Sequence, residues 1–329
     1  MSIQRVALAG VGLVLAAAIT YGVLSRNATI DNPGAAATGA ASLAAGPKAP
    51  DFTGVTGWIN SQPLSVQELR GKVVLVDFWT FSCINCQRTL PVLRTWWQRY
   101  RNDGLVIVGV HSPEFDFEKD PGNVQQAVKD LNVLWPVALD PNMATWNAYQ
   151  NQYWPAEYLI DKQGYVRHTH FGEGEYDITE HAIRTLLGEK GTASAVQAQL
   201  PGNDITGEAY AGSERSDGRI TLSGPWREDP QFAISSGTGS VAAIQFTATH
   251  VFLVAGAVGA PARVLITIDG RPPTRSQAGS SVEFDSAGRA FVTVGAHELY
   301  TLLSLPSEQS HQLQIRPPAG MQLFTFTFG

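Results

Sequence analysis

Cys83 and Cys86 stand three residues apart and are the only cysteines in 329 residues. A thiol pair at this spacing suits a structural disulfide, half of a zinc site, or reversible disulfide exchange. A bridge that closes so short a loop adds little stability, because the gain grows with loop size. Tetrahedral zinc needs four ligands, and no second cysteine pair or suitably spaced histidine pair lies nearby. His168 and His170, one residue apart, would share a face of a strand, but two imidazoles are not a ligand set. Exchange is therefore the expected chemistry: one thiolate attacks a target disulfide and the other thiol resolves the mixed disulfide. No metal is expected, and no cofactor beyond the Cys83–Cys86 disulfide itself.

Such chemistry requires that the pair be held at a helix start. The run Val73-Val74-Leu75-Val76 predicts a buried strand. After the pair, Leu90, Leu93, Trp97 and Tyr100 recur at helical steps and predict an amphipathic helix. Cys83 then sits at the helix N-terminus, where free N–H groups and the macrodipole favour a thiolate. Leu105 to Val110 predicts a second, parallel strand that leads into His111-Ser112-Pro113-Glu114-Phe115. Open α/β sheets place their chemistry at such strand ends, so His111 and Glu114 are candidate proton carriers. Asp120 and Pro121 open a helix as N-cap and first residue. Val137–Leu139 is a short strand, residues 144–150 are helical, and Tyr165 to Phe171 is an antiparallel strand. Asp177 and Glu180 have the form of a capping box for a last helix to Leu187.

Four segments carry a family resemblance: DFWTFSCINCQRTLP (77–91), GLVIVGVHSPEFDFEKDPGNV (104–124), ATWNAYQNQYWPAEYLID (144–161) and HFGEGEY (170–176). The sequence resembles thioredoxin-fold proteins, and more closely the TlpA-like domain at the C-terminal end of the DipZ family of extracytoplasmic thiol-disulfide oxidoreductases. The resemblance implies a thioredoxin fold, a central mixed sheet flanked by helices. Asp77, six residues before Cys83, matches that fold's buried carboxylate and is the expected acceptor of the Cys86 proton. Pro91 matches the helix-kinking proline, and Pro155 the cis-proline facing the dithiol. A cis Pro155 would leave the backbone of Trp154 free to pair with a bound polypeptide, and Trp79 joins Trp154 and Pro155 as an expected substrate-binding residue. The dipeptide between the cysteines is Ile84-Asn85 where thioredoxin has Gly-Pro, and Ser82 replaces its tryptophan. That dipeptide tunes the potential, so the direction of electron flow stays open.

The function implied is reduction of disulfides in envelope proteins, in cytochrome c biogenesis or related redox homeostasis, with electrons from a separate DsbD/CcdA-like membrane protein. Thr80, three residues before Cys83, echoes the peroxiredoxin pattern Pro-x-x-x-Thr-x-x-Cys, but Val76 stands at the proline position. A thiol peroxidase is therefore an alternative. Another is an envelope-binding module on an inactive thioredoxin scaffold.

The expected order along the chain starts with a signal anchor or signal peptide over 1–26. Val6 to Leu24 holds nineteen uncharged residues, enough to span a bilayer, and Ala16-Ala17-Ala18 could be a cleavage site. The expected location is extracytoplasmic, in the periplasm or cell envelope, tethered to the inner membrane by residues 6–24 or secreted if cleaved. A flexible linker over 27–47 precedes the redox domain over 48–190, and a second linker covers 191–204. Residues 205–329 hold short strands such as Val264–Ile268 and Ala290–Val294 between Gly, Pro and Asp-Gly turns, which predicts an all-β, jelly-roll-like sandwich. This part resembles the C-terminal domain appended in DipZ-like proteins, itself similar to carbohydrate-binding sandwiches. A glycan is the ligand class so implied, although Trp226 is the only tryptophan there to serve as a sugar platform. A net charge of −6 with no basic patch excludes nucleic acid as a partner.

Overall fold

Seven consecutive buried residues form strand β2 (Val73–Trp79), because neighbouring strands flank it and side chains cover both its faces. The computed structural model describes Leu43, residues 46–189, Gly202 and residues 205–329. The expected anchor and most of both expected linkers lie outside the described residues. Among the described residues, no helix is long and apolar enough to cross a membrane.

The chain runs β1 (Gly57–Ile59), β2, α1 (Ile84–Tyr100), β3 (Leu105–His111), α2 (Pro121–Asp130), β4 (Val137–Leu139), α3 (Ala144–Ala148), β5 (Ala156–Ile160), β6 (Val166–Phe171) and α4 (Tyr176–Leu187). The sheet order is β1-β4-β3-β2-β5-β6, with β2, β3 and β4 parallel and the other strands antiparallel to their neighbours. This is the thioredoxin fold. Leu93 and Trp96 of α1, Val124 of α2 and Ile183 of α4 cover one face, and Trp146, Tyr149 and Phe52 the other. The inward tryptophan of α1 is Trp96, while Trp97 is only half-buried. Asp120 caps α2 by accepting from the N–H groups of Gly122 and Asn123.

The capping box expected at Asp177 and Glu180 does not form. Helix α4 starts earlier, from Glu175 in a left-handed conformation with no side-chain cap. Glu180 is instead buried and accepts from the Tyr100 hydroxyl at 2.5 Å and from Arg99 Nη1 at 2.8 Å.

The C-terminal part is all β: β7 (Ala209–Tyr210), β8 (Thr221–Ser223), β9 (Trp226–Glu228), β10 (Ala233–Ser235), β11 (Val241–Ala257), β12 (Ala262–Ile268), β13 (Val282–Phe284), β14 (Ala290–Val294), β15 (Glu298–Arg316) and β16 (Met321–Phe328). Hydrogen bonds join all of them into one ten-stranded antiparallel sheet, where two facing sheets were expected. The cause is the length of β11 and β15, which pair along most of their course with register shifts near Thr249 and Val251. Through the first shift the inward set changes from Ala242, Ile244, Phe246 and Ala248 to Val251, Leu253 and Ala255. The polar stretch Pro306 to Ser310 continues β15 at the surface.

The outer face of this sheet packs on the loop after β3. Phe324 meets Phe115 and Phe117 with ring centroids 5.0 and 4.9 Å apart. Arg215 Nη1 reaches Glu114 at 2.6 Å. Phe324→Ala should cost about 3 kcal/mol through the cavity it leaves, measured as a lower denaturation midpoint. An unchanged midpoint would mean that other contacts hold the two parts together.

Candidate active site

Strand β2 ends at Trp79, and the short connection after it delivers Cys83 to the N-cap of α1, with Sγ accepting the Cys86 N–H at 3.4 Å. Both are free cysteines. Cys83 keeps 7% of its surface exposed and Cys86 none, so an incoming disulfide meets Cys83 first. Burial pushes the Cys86 thiol well above its ordinary value, and the neighbouring Cys83 raises it further. Cys86 therefore holds its proton until a base takes it.

Asp77 is a carboxylate whose charge reaches Cys86. It is buried, its charge acts on Cys86, and neither carboxylate oxygen has a hydrogen-bond partner among the described residues. Burial raises its pKa to about 7, because an apolar surrounding disfavours the carboxylate. An acid tuned there exchanges protons readily at neutral pH.

The Trp154–Pro155 peptide is cis. Trp154 packs against the cluster that contains Cys83 and Cys86, and its Nε1 donates to the Ser112 carbonyl at 2.9 Å. Its backbone N–H and C=O have no partner among the described residues, as a polypeptide-pairing site requires.

Three other expected site residues sit elsewhere. Trp79 ends β2 with its side chain on the α1 face, fully buried, so it belongs to the core and offers no substrate surface. His111 is buried, stacks on Phe81 and pairs through Nε2 with the Thr80 hydroxyl at 3.3 Å. Burial lowers its pKa to about 3, which keeps it neutral and unsuited to carrying a proton as a cation. Glu114 lies at the junction with the β part, bound by Tyr210 and Arg215 at 2.8 and 2.6 Å, away from the dithiol. His168 and His170 do share a face, but their rings engage Thr179 and Glu175.

Residues 45–169 match the AhpC/TSA family and residues 174–329 match a thioredoxin-like C-terminal domain. Thiol-disulfide oxidoreductase YkuV of Bacillus subtilis is 30% identical over 140 residues, which is 43% of this chain and 94% of YkuV. The chain belongs to the thiol-disulfide oxidoreductases. Protein DipZ of Mycobacterium tuberculosis is 36% identical over 341 residues, or 93% of this chain and 46% of DipZ. The chain thus spans about half the length of the DipZ relatives it matches. Thiol-disulfide oxidoreductase ResA of Bacillus cereus is 27% identical over 128 residues, 39% of this chain and 70% of ResA.

Beside the dithiol stands a further buried carboxylate that the sequence alone does not single out. Glu118 is buried; its Oε1 accepts from the Ser82 hydroxyl at 2.6 Å and the Ser82 N–H at 3.3 Å. Its Oε2 accepts from the N–H groups of Glu114 and Phe115 at 2.6 and 3.0 Å. One side chain so ties the residue before Cys83 to the loop that meets the β part. In sequence Glu118 sits beside Lys119 and Asp120 and looks like surface charge. Its only signal is Ser82, a hydroxyl where the resemblance expects an indole.

Proposed function

We propose that the chain is an extracytoplasmic reductant of protein disulfides that works through Cys83 and Cys86 without a further cofactor. The observation that carries this reading is the asymmetry of the pair: Cys83 reachable at a helix N-cap, Cys86 sealed above the unpartnered acid Asp77. Cys83 as thiolate attacks one sulfur of the target disulfide, and the other target sulfur leaves. Cys86 gives its proton to Asp77 and attacks Cys83 Sγ, which releases the reduced target. The dithiol loses two electrons and the target gains them. The target backbone pairs with the free N–H and C=O of Trp154 beside the cis Pro155.

The next cycle needs two electrons, for which a DsbD/CcdA-like membrane protein is the proposed donor. The proposed location is the cell envelope, with residues 6–24 as tether or cleaved signal, and the proposed targets are envelope proteins, including those of cytochrome c biogenesis. For residues 205–329 the proposed role is docking and bracing of the loop that carries Glu118. A sugar platform is less favoured, since Trp226 donates its indole N–H to the Ser223 and Val241 carbonyls. The peroxidase alternative has little support, since the Thr80 hydroxyl is engaged by buried His111.

The reduction potential of the Cys83–Cys86 couple tests the direction, by equilibrating the chain with glutathione or dithiothreitol. A value near that of thioredoxin, about −270 mV, is expected. A value near about −120 mV, that of a strong periplasmic oxidant, would make the chain a disulfide donor instead.

A further inference from the structure

A buried base works repeatedly only if the proton it accepts can leave. Asp77 lies in a strand covered on both faces, so its proton needs a route through the protein. Strand register supplies one. Asp77 on β2 pairs directly with Glu157 on β5, and Glu157 with His170 on β6. Directly opposed residues of antiparallel strands share a face, with Cβ atoms about 5 Å apart. The three side chains therefore form one row across the sheet, beneath α1 and α4.

The row is under-satisfied in a way that apolar packing does not explain. Glu157 is buried with Oε2 unpartnered, and both Asp77 oxygens and His170 Nε2 are unpartnered among the described residues. Two buried acids side by side are costly when an apolar pair of similar volume would pack as well. The outer end of the row reaches solvent: His170 Nδ1 stands 3.4 Å from Glu175, whose side chain is 64% exposed. The other titratable and polar groups beside Glu157 are Tyr176 and Thr179 on α4, with Thr179 hydrogen-bonded to Glu157 and paired with His168 of β6.

We propose that Glu157 is a positioning residue that takes the proton from Asp77 and passes it through His170 to solvent at Glu175. This rests on the redox reading of Cys83 and Cys86. In the resolving step the Cys86 S–H bond breaks and its electron pair forms the S–S bond to Cys83, as the bond from Cys83 to the target sulfur breaks. The Cys86 proton goes to Asp77; Glu157, which holds its own proton near neutrality, releases that one outward through His170 and takes the proton of Asp77 in its place. The departing target thiolate takes a proton from solvent, so charge and protons balance. Burial brings Asp77 to about 7; burial first, then the Asp77 charge, brings Glu157 to about 8. The pair thus loses its protons in two macroscopic steps near neutrality.

The test loads Cys83 of the full chain with 5-thio-2-nitrobenzoate and follows release of the coloured thiol by Cys86 across about pH 5 to 9. Wild type should show two ionisations, near 7 and 8. Glu157→Gln should keep one ionisation and release about tenfold more slowly at neutral pH, less than the roughly 10²-fold or more of a lost general base because Asp77 remains. His170→Asn should keep both ionisations and slow release in the same direction. Wild-type rate and profile in both variants would overturn the relay, as would a slower Glu157→Gln that retains two ionisations. If Glu157→Gln fails to fold, His170→Asn decides alone. Release that Cys86→Ser leaves unchanged would instead sink the redox reading itself, since that control contains no relay-dependent step.

Discussion

Cys86→Ser should capture its targets as stable mixed disulfides on Cys83, while Cys83→Ser should capture nothing. The two thiols are separated by accessibility and by acidity. Cys83 is the more accessible one, and its Sγ already accepts a backbone N–H at the positive end of α1. Cys86 is sealed and held as a thiol by burial. Without Cys86 the first attack proceeds and the second cannot, so the covalent intermediate persists until an external thiol removes it. Turnover of a model disulfide should fall by about 10³-fold or more in either variant, the scale on which loss of a nucleophile acts. Mass spectrometry after exposure to a disulfide peptide distinguishes them: a one-to-one adduct for Cys86→Ser, none for Cys83→Ser. An adduct on Cys86 in the Cys83→Ser chain would reverse the assigned order of attack.

The dithiol and its scaffold were legible because each rests on a local signal. A valine run makes a buried strand wherever it lies, Asp120-Pro121 starts a helix by its own hydrogen bonds, and Asp77 is buried because all of β2 is. What escaped depends on groups far apart in sequence. Glu118 is indistinguishable from surface charge until Ser82 is brought beneath it from the other side of α1 and β3. Glu180 fits a capping box in spacing, yet Tyr100 and Arg99 claim it from another helix and its terminus. Glu157 lies in Ala156–Ile160, five residues of which all are buried. In so short an apolar run an acid looks like the solvent-facing member of an alternating strand. Its signal was the sheet position: a strand beside β2 has no solvent face. Trp79 misled for a related reason, since adjacency to the dithiol in sequence says nothing about which face of the sheet the next side chain takes.

Asp77→Asn should make the protein more stable at alkaline pH and slower at its chemistry, two effects with one origin. The folded pKa of Asp77 is about 7 against an ordinary value of 3.8. A raised carboxyl means that the native state binds the proton more tightly than the unfolded chain does. Its contribution is fully present below about pH 4 and is lost as pH rises through about 7, because folding must then keep a buried charge. Each pH unit of that interval corresponds to about 1.4 kcal/mol, so the loss by pH 8 is on the order of 4 kcal/mol. Asparagine does not ionise and avoids it, so urea unfolding should show the variant gaining on wild type from acid to alkaline pH. Resolution of the mixed disulfide should slow by about 100-fold at neutral pH, the scale of a lost general base. The gap should narrow at high pH, where hydroxide can deprotonate Cys86 unaided. Resolution at the wild-type rate would remove Asp77 from the mechanism, and a variant less stable than wild type at pH 8 would overturn the unfavourable buried charge. The expected combination instead marks a position where the fold keeps an unfavourable charge because that carboxylate acts on Cys86.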